Sequence, residues 1–439
     1  MENELVVAMK DVRATLGKHI LADGFEPVMD LEKSHGSWLV DERDGAEYLD
    51  MFSMFASGAV GYNHPDILAK RDRLAISAQN KPTLSDVYNS YYADFMETFS
   101  NTAMPDYLLH TFFIEGGALG VENALKVAFD WKVRKNMSNG KGEKGSRIIH
   151  FNQAFHGRTG YTLSLTNTTD PRKTMYFPKF DWPRVLNPKI TFPLDEASVA
   201  EAEIQSIAEI KAAIHANLND IAALIIEPIQ GEGGDNHFRE EFFRALRTIC
   251  DENEILFIFD EVQTGIGLTG KMWAHQLYGE DCRPDIISFG KKTQICGIFV
   301  SDRVDEVENN VFHESSRLNS TFGGNIADMV RFTLYLEVIE KEGLVQTAAE
   351  NGKYVLDKIH ALQKKYGDVV SNSRGKGHFC AFDLPNSDIQ DNLLSLIADE
   401  GALMLGCGTH SIRFRPHLNI SQDEIDTGFE MIEKAIQKL

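Results

Sequence analysis

Between about residues 105 and 330, short apolar runs alternate with amphipathic stretches. The runs at 111–114, 147–151, 221–226, 255–259, 286–289 and 297–300 are continuous rather than alternating. That is the pattern of strands covered on both faces. Helical stretches lie between several of them, near 118–135, 198–217 and 239–253. Strand-helix alternation of this kind predicts a mainly parallel, doubly wound α/β sheet. The ends of the chain read differently. Residues 36–52 predict two short strands around a turn at Asp44-Gly45, and beyond about 330 long helical segments dominate, with strands near 377–384, 402–405 and 411–415. Ser421-Gln422-Asp423-Glu424 has the form of a capping box and predicts a last helix running to Lys438. The expected organisation is a large α/β domain at 66–330 and a smaller α+β domain built from 1–65 and 331–439. The low-complexity stretch 136–146 predicts a mobile surface loop.

Composition narrows what such a chain does. Its 439 residues suffice for two or three domains. With 44 Lys+Arg against 65 Asp+Glu, the formal net charge is −21. That charge repels phosphate backbones and anionic lipid and argues against nucleic-acid or membrane binding. Any anionic ligand must therefore meet cations that are locally placed. Cys250, Cys282, Cys296, Cys380 and Cys407 are odd in number, widely spaced and include no C-x-x-C pair. This argues against a disulfide framework or a structural zinc and fits a reducing compartment. The start Met1-Glu2-Asn3-Glu4 shows no secretory signal, and the longest apolar run, 221–226, is far short of the roughly 20 residues of a membrane span. A cytoplasmic protein is expected. No metal-ligand spacing is present.

Gly265-Ile266-Gly267-Leu268-Thr269-Gly270 matches the dinucleotide fingerprint G-x-G-x-x-G. Its context is wrong, because five residues separate the preceding strand from the first glycine and Asp285 precedes its strand instead of ending it. A different block carries more. The apolar strand ending at Phe259 is followed by Asp260-Glu261, and about thirty residues later the strand ending at Phe289 is followed by Gly290-Lys291-Lys292. Ligands of open parallel sheets sit beyond the carboxyl ends of the strands, so these groups can face one crevice. An acid and a lysine there suit pyridoxal 5′-phosphate: the lysine amine condenses with the cofactor's aldehyde and the acid keeps the pyridinium nitrogen protonated. An ordinary ion pair at a sheet edge would have the same spacing.

This block resembles the signature of the class III (ω-) aminotransferases, which have the PLP fold type I. The resemblance extends over nearly the whole chain. Tyr48-Leu49-Asp50, Ser57-Gly58, Gly61-Tyr62-Asn63-His64-Pro65, Glu115-Gly116-Gly117, Phe155-His156-Gly157-Arg158, Glu227-Pro228-Ile229-Gln230-Gly231-Glu232-Gly233-Gly234 and Ile412-Arg413-Phe414-Arg415-Pro416 fall in family order. Within the family, the segments 80–88, 177–184, 290–297 and 317–325 resemble the members that act on the ε-amine of L-lysine.

The resemblance implies roles residue by residue. Lys291, at the family spacing from Asp285, would bind the cofactor and shuttle the proton, with Lys292 its rival. Asp260 would pair with the pyridine nitrogen, with Glu261 the competing acid. Gln263 would meet the ring oxygen, Phe155 stack on the ring, and Gly117 and Ala118 hold the phosphate at a helix N-terminus. Thr321 would reach the phosphate from a partner subunit, which implies a homodimer with shared active sites. Arg413 would hold the near carboxylate of 2-oxoglutarate and Arg158, assisted by Asn319, the far carboxylate of either substrate. Glu232 would neutralise Arg413 during the lysine half-reaction and swing away in the other. Arg415 is the rival of Arg413, set aside on the family's Arg-x-x-Pro order. His156 and Trp182 receive no chemistry. The implied reaction transfers the ε-amino group of L-lysine to 2-oxoglutarate. Another ω-aminotransferase, acting on 4-aminobutyrate or ornithine, and an aminomutase are the rival expectations.

Overall fold

Seven strands build the central sheet: β1 (His110–Ile114), β2 (Arg147–Phe151), β3 (Arg184–Val185), β4 (Ile221–Ile226), β5 (Leu256–Asp260), β6 (Ile286–Phe289) and β7 (Cys296–Val300). The structure is a computed structural model, and residues 6–439 are described; Met1-Glu2-Asn3-Glu4, where the reading of the N-terminus falls, lies outside the described residues. The spatial order is β1-β7-β6-β5-β4-β2-β3. Pairing is parallel from β6 through β3, and only β7 runs against its two neighbours. Strands β1, β2, β4, β5 and β6 therefore end at the same edge of the sheet.

Alternation along the strands divides their side chains between two cores. Ala223, Ile225, Leu256, Ile258 and Ile286 face Val121, Ala124, Ala128 and Trp131 of helix α1 (Gly117–Ser138). Leu224, Ile226, Phe257, Phe259, Ile287 and Phe289 face an aromatic layer containing Phe95, Phe99, Phe242, Phe243 and Phe332. Both faces are covered, which is why the strands read as continuous apolar runs. Each fully buried side chain of this size contributes roughly 1.5–3 kcal/mol. Parity also places Asp260 and Ser288 on the α1 side.

The chain ends meet in smaller sheets. Trp38–Val40 pairs with Glu47–Asp50, which pairs in parallel with Ala402–Leu403. Ser371–Lys376, Phe379–Asp383, Ser411–Phe414 and Leu405–Cys407 form an antiparallel sheet. Leu49 and Met51 pack with Phe382, Phe414 and Ile432 in this core. Helix α2 (Leu344–Lys365) joins the two regions: Leu344 and Ala348 lie in the aromatic core, Val355 and Ile359 in the small one. Among the described residues no helix is long and apolar enough to cross a membrane.

Two expectations change. The strand expected at 402–405 is two strands in different sheets, Ala402–Leu403 and Leu405–Cys407, with Met404 between them. The stretch 136–146 is not a free loop. Helix α1 runs on to Ser138, and the buried Asn136 amide donates to the carbonyls of Lys144 and Asn219, both at 2.7 Å. The glycine-rich 265–270 segment opens no helix after β5; a Cβ on Gly270 would meet Ala349 of α2 at 2.8 Å.

Candidate active site

A cavity of about 400 Å³ opens where β1, β2, β4, β5 and β6 end. Asp260, the last residue of β5, is held on three sides. Its carboxylate accepts from Val262 N at 3.1 Å and Ser288 Oγ at 3.3 Å, and from His156 Nδ1 at 2.8 Å, where a ring nitrogen facing a carboxylate must donate. Glu261 points the other way, as strand alternation requires. It is fully buried and accepts from the backbone of Ala274 and His275, from His275 Nδ1 at 2.9 Å and from Thr264 Oγ1 at 3.1 Å.

Lys291 follows β6 and lines the cavity in a left-handed conformation, φ +54°. Burial, helped by the Arg413 charge, holds its amine below the usual lysine range against the pull of Asp260, Glu227 and Glu232. Lys292 is buried on the opposite side and donates to Ala56 O at 2.8 Å. Across the cavity, α1 follows Gly116, whose φ of +103° favours glycine, and no side chain among the described residues caps its first turn. A Cβ on Gly117 would meet Val262 at 2.9 Å. The uncapped N–H groups at Gly117 and Ala118 thus face the cavity without bulk in front of them.

Phe155, Gln263, Arg158 and Glu232 complete the wall. Phe155 N donates to the buried Glu227 at 2.9 Å, and Gly231 N to the same carboxyl at 3.0 Å. Burial pushes that carboxyl up to about 7 despite the nearby His156. Gln263 Oε1 accepts from Arg415 Nε at 3.2 Å and Nη2 at 3.1 Å. Arg415 is otherwise spent on Asp235, at 2.9 and 2.5 Å. Arg413 is buried, and its Nη2 lies 3.1 Å from Glu232 Oε2, while its Nε and Nη1 have no partner among the described residues. Arg158 stands exposed at the rim and makes no ion pair among the described residues. Asn319 and Thr321 are not brought to this cavity. Both lie on an exposed segment, Asn319 against a separate cleft with Ser85, Asp86 and Tyr88. Trp182 is core, stacked on Phe180 at 4.9 Å.

The profile of the family described as aminotransferase class-III matches residues 21–436. The chain is a class III aminotransferase. Among its relatives, an L-lysine-epsilon aminotransferase of Mycobacterium tuberculosis is 48% identical over 429 residues, covering 97% of this chain and 95% of that protein. One from Streptomyces clavuligerus is 45% identical over 433 residues, covering 97% and 94%. A mitochondrial 4-aminobutyrate aminotransferase of Rattus norvegicus is 33% identical over 411 residues, covering 88% and 80%. A solved lysine aminotransferase from M. tuberculosis superposes with a TM-score of 0.96 at 48% identity, covering 98% of this chain and all of that one.

The enzyme works with pyridoxal phosphate, and the cavity fits it. Orphan N–H groups at a helix start suit a phosphate, a buried acid at a strand end suits a protonated ring nitrogen, and a lysine with a lowered pKa suits an aldehyde. Three neighbours of this transaminase site escaped the sequence reading. His156 holds Asp260; its place beside Phe155 was visible, its contact was not. Glu227 braces the Phe155 backbone; its Glu-Pro motif was noted without a role. Lys173 donates to Glu232 Oε1 at 2.8 Å, and nothing in its surroundings, TTDPRKT, signals this.

Proposed function

We propose that this aminotransferase moves the ε-amino group of L-lysine to 2-oxoglutarate, giving 2-aminoadipate 6-semialdehyde and L-glutamate. The observation that carries the terminal-amine part of the reading is the Arg413–Glu232 pair at 3.1 Å beside the cavity. Glu232 lines the cavity and Arg413 does not, so the acid covers the guanidinium. A donor reacting at a terminal amine brings no carboxylate close to the reacting carbon, and an uncovered buried arginine would then be costly. The dicarboxylate acceptor does bring one, and it can take Arg413 once Glu232 moves. The identity of 45–48% to relatives named for lysine, against 33% to one named for 4-aminobutyrate, supports the same substrate.

Bound pyridoxal phosphate supplies the electron sink that labilises the donor's C–H bond. In this reading Asp260 keeps the ring nitrogen protonated, with His156 holding the acid in place. Lys291 would carry the cofactor and would serve as the base for the proton leaving the donor carbon. Gly117 and Ala118 hold the phosphate, Phe155 covers the ring, and Gln263, its carbonyl oxygen occupied by Arg415, presents its NH2 to the ring oxygen. Arg158 reads the far carboxylate. Asn319 and Thr321 serve the site of a second copy, Thr321 at its phosphate, so the working unit is a homodimer. The division at residues 65 and 330 and a cytoplasmic location, consistent with five unpaired buried cysteines, belong to the same proposal.

Amino-donor profiling with 2-oxoglutarate as acceptor tests this, with the aldehyde product trapped by derivatisation. L-Lysine should give the highest kcat/KM. A higher value for ornithine or 4-aminobutyrate would overturn the substrate while leaving the transamination intact.

A further inference from the structure

Glu232 has a second cation. Lys173 Nζ donates to Oε1 at 2.8 Å while Arg413 holds Oε2 at 3.1 Å, so the carboxylate is clamped between them. Lys173 closes the short 3-10 turn Pro171–Lys173, in which Arg172 is taken up by Asp170 at 2.8 and 3.0 Å. Glu232 is thus the sole polar partner of the Lys173 side chain among the described residues. Beside Glu232 lies a second space of about 100 Å³, also bounded by Gln153, Phe155, Asn167, Lys173 and Gly408. The backbone here is pinned. Gly408 N donates to Glu232 O at 2.8 Å, and a Cβ on Gly233 would meet Gln153 O at 2.0 Å. Movement of Glu232 therefore means movement of its side chain, and one space open to it is bounded by Lys173.

We infer that Lys173 is the resting partner of Glu232 when the acid leaves Arg413, a positioning residue that favours the state open to 2-oxoglutarate. The inference rests on the reading of Glu232 as a movable acid. Its direction follows from counting partners. With Glu232 on Arg413 the carboxylate has two cations, and losing Lys173 leaves one. With Glu232 swung away Lys173 is its one cation, and losing it leaves a partly buried carboxylate unpaired. Removing Lys173 therefore penalises the open state more than the closed one. The carboxylate supports this electrostatically: burial alone would raise it, yet Arg413 and Lys173 together hold it below the usual glutamate range.

The signature is opposite to that of Glu232 itself. Lys173→Met should weaken binding of 2-oxoglutarate by about 3- to 10-fold, the scale of a half-exposed ion pair. Titration calorimetry reads this on holoenzyme in its aldehyde form, which a keto acid cannot convert. The lysine half-reaction should change less than about twofold, Lys173→Arg should restore the affinity, and Lys173→Met should add nothing in a Glu232→Ala background. Unchanged 2-oxoglutarate affinity, or equal slowing of both half-reactions, would overturn the inference. So would an effect persisting without Glu232, since Lys173 would then touch the acceptor directly. Failure of the underlying reading looks different: there Glu232→Ala alone would fail to single out the lysine half-reaction.

Discussion

The two walls of the cavity are built on different principles. On the sheet side, Asp260 has three donors, Glu261 is locked away behind it, and Lys291 and Lys292 are sent to opposite sides by the backbone between β6 and β7. On the side of the small antiparallel sheet, Arg413 leaves two nitrogens unpaired, and Glu232 is held by single contacts to side chains that can let go. In the proposed mechanism the acid that serves the proton chemistry is held by several contacts at strand ends, and the acid proposed to distinguish donor from acceptor is not. A ping-pong enzyme with unlike substrates needs this asymmetry. The reacting atoms must stay put through both half-reactions, while the positive charge near them must be covered in one and open in the other.

The largest effect should come from the fixed wall. Lys291→Ala is expected to lower turnover by about 10⁴-fold or more, because it removes both the covalent anchor and the proton shuttle. Borohydride reduction followed by peptide mass spectrometry should find the cofactor on Lys291 and none on Lys292. Label on Lys292 would break the assignment of the two lysines to opposite sides. On the movable wall, Glu232→Ala should slow the lysine half-reaction by roughly 10- to 1000-fold, the cost of leaving Arg413 uncovered after discounting for solvent. The 2-oxoglutarate half-reaction should suffer less. Stopped-flow absorbance of the cofactor follows each half separately, and equal slowing would mean that Glu232 is part of the fixed wall after all.

The same asymmetry governs what was legible in the sequence. Strands β4, β5 and β6 stand out because both faces are buried, and their ends carry Asp260 and Lys291 in a spacing that chemistry can interpret. Ser371–Lys376, written SNSRGK, was not anticipated, because an edge strand with polar residues has no apolar signal. Neither was the two-residue β3. The choice between Arg413 and Arg415 is invisible to periodicity, since the two are spaced by two residues and the strand itself ends at Phe414 between them. Asp235, 180 residues away, takes Arg415, and that is a tertiary fact. Lys173 was missed for the same reason: its partner is 59 residues distant, across a turn that the local sequence shows only as a loop.

A third prediction concerns a part that lies on neither wall of one chain. If Thr321 reaches a second copy's phosphate, mixing Lys291→Ala with Thr321→Ala subunits should restore activity to about a quarter of wild type. Random exchange makes half the dimers hybrid, and each hybrid has one intact site of two. Activity no higher than that of the Thr321→Ala protein alone would place Thr321 outside the site and leave each chain's cavity self-sufficient.

The smallest effect is a pH dependence on the fixed wall. Glu227 braces Phe155 and Gly231 from a buried position, and its carboxyl is pushed up to about 7 from an ordinary value of 4.5. A group with a raised folded pKa binds more protons folded than unfolded between those two values. Its stabilising contribution is therefore full below about 4.5 and is lost as pH rises through about 7. Glu227→Gln cannot ionise and does not share this loss. Whatever the substitution costs in hydrogen bonding is the same at every pH, so it cancels when two pH values are compared. Thermal melts of holoenzyme should show the Tm of Glu227→Gln moving up relative to wild type from pH 5 to pH 8, by a few degrees for a chain this long. A difference independent of pH would mean that Glu227 is ionised throughout, its charge satisfied by the two N–H donors. The wall under Phe155 would then be held by an ion and not by a neutral acid.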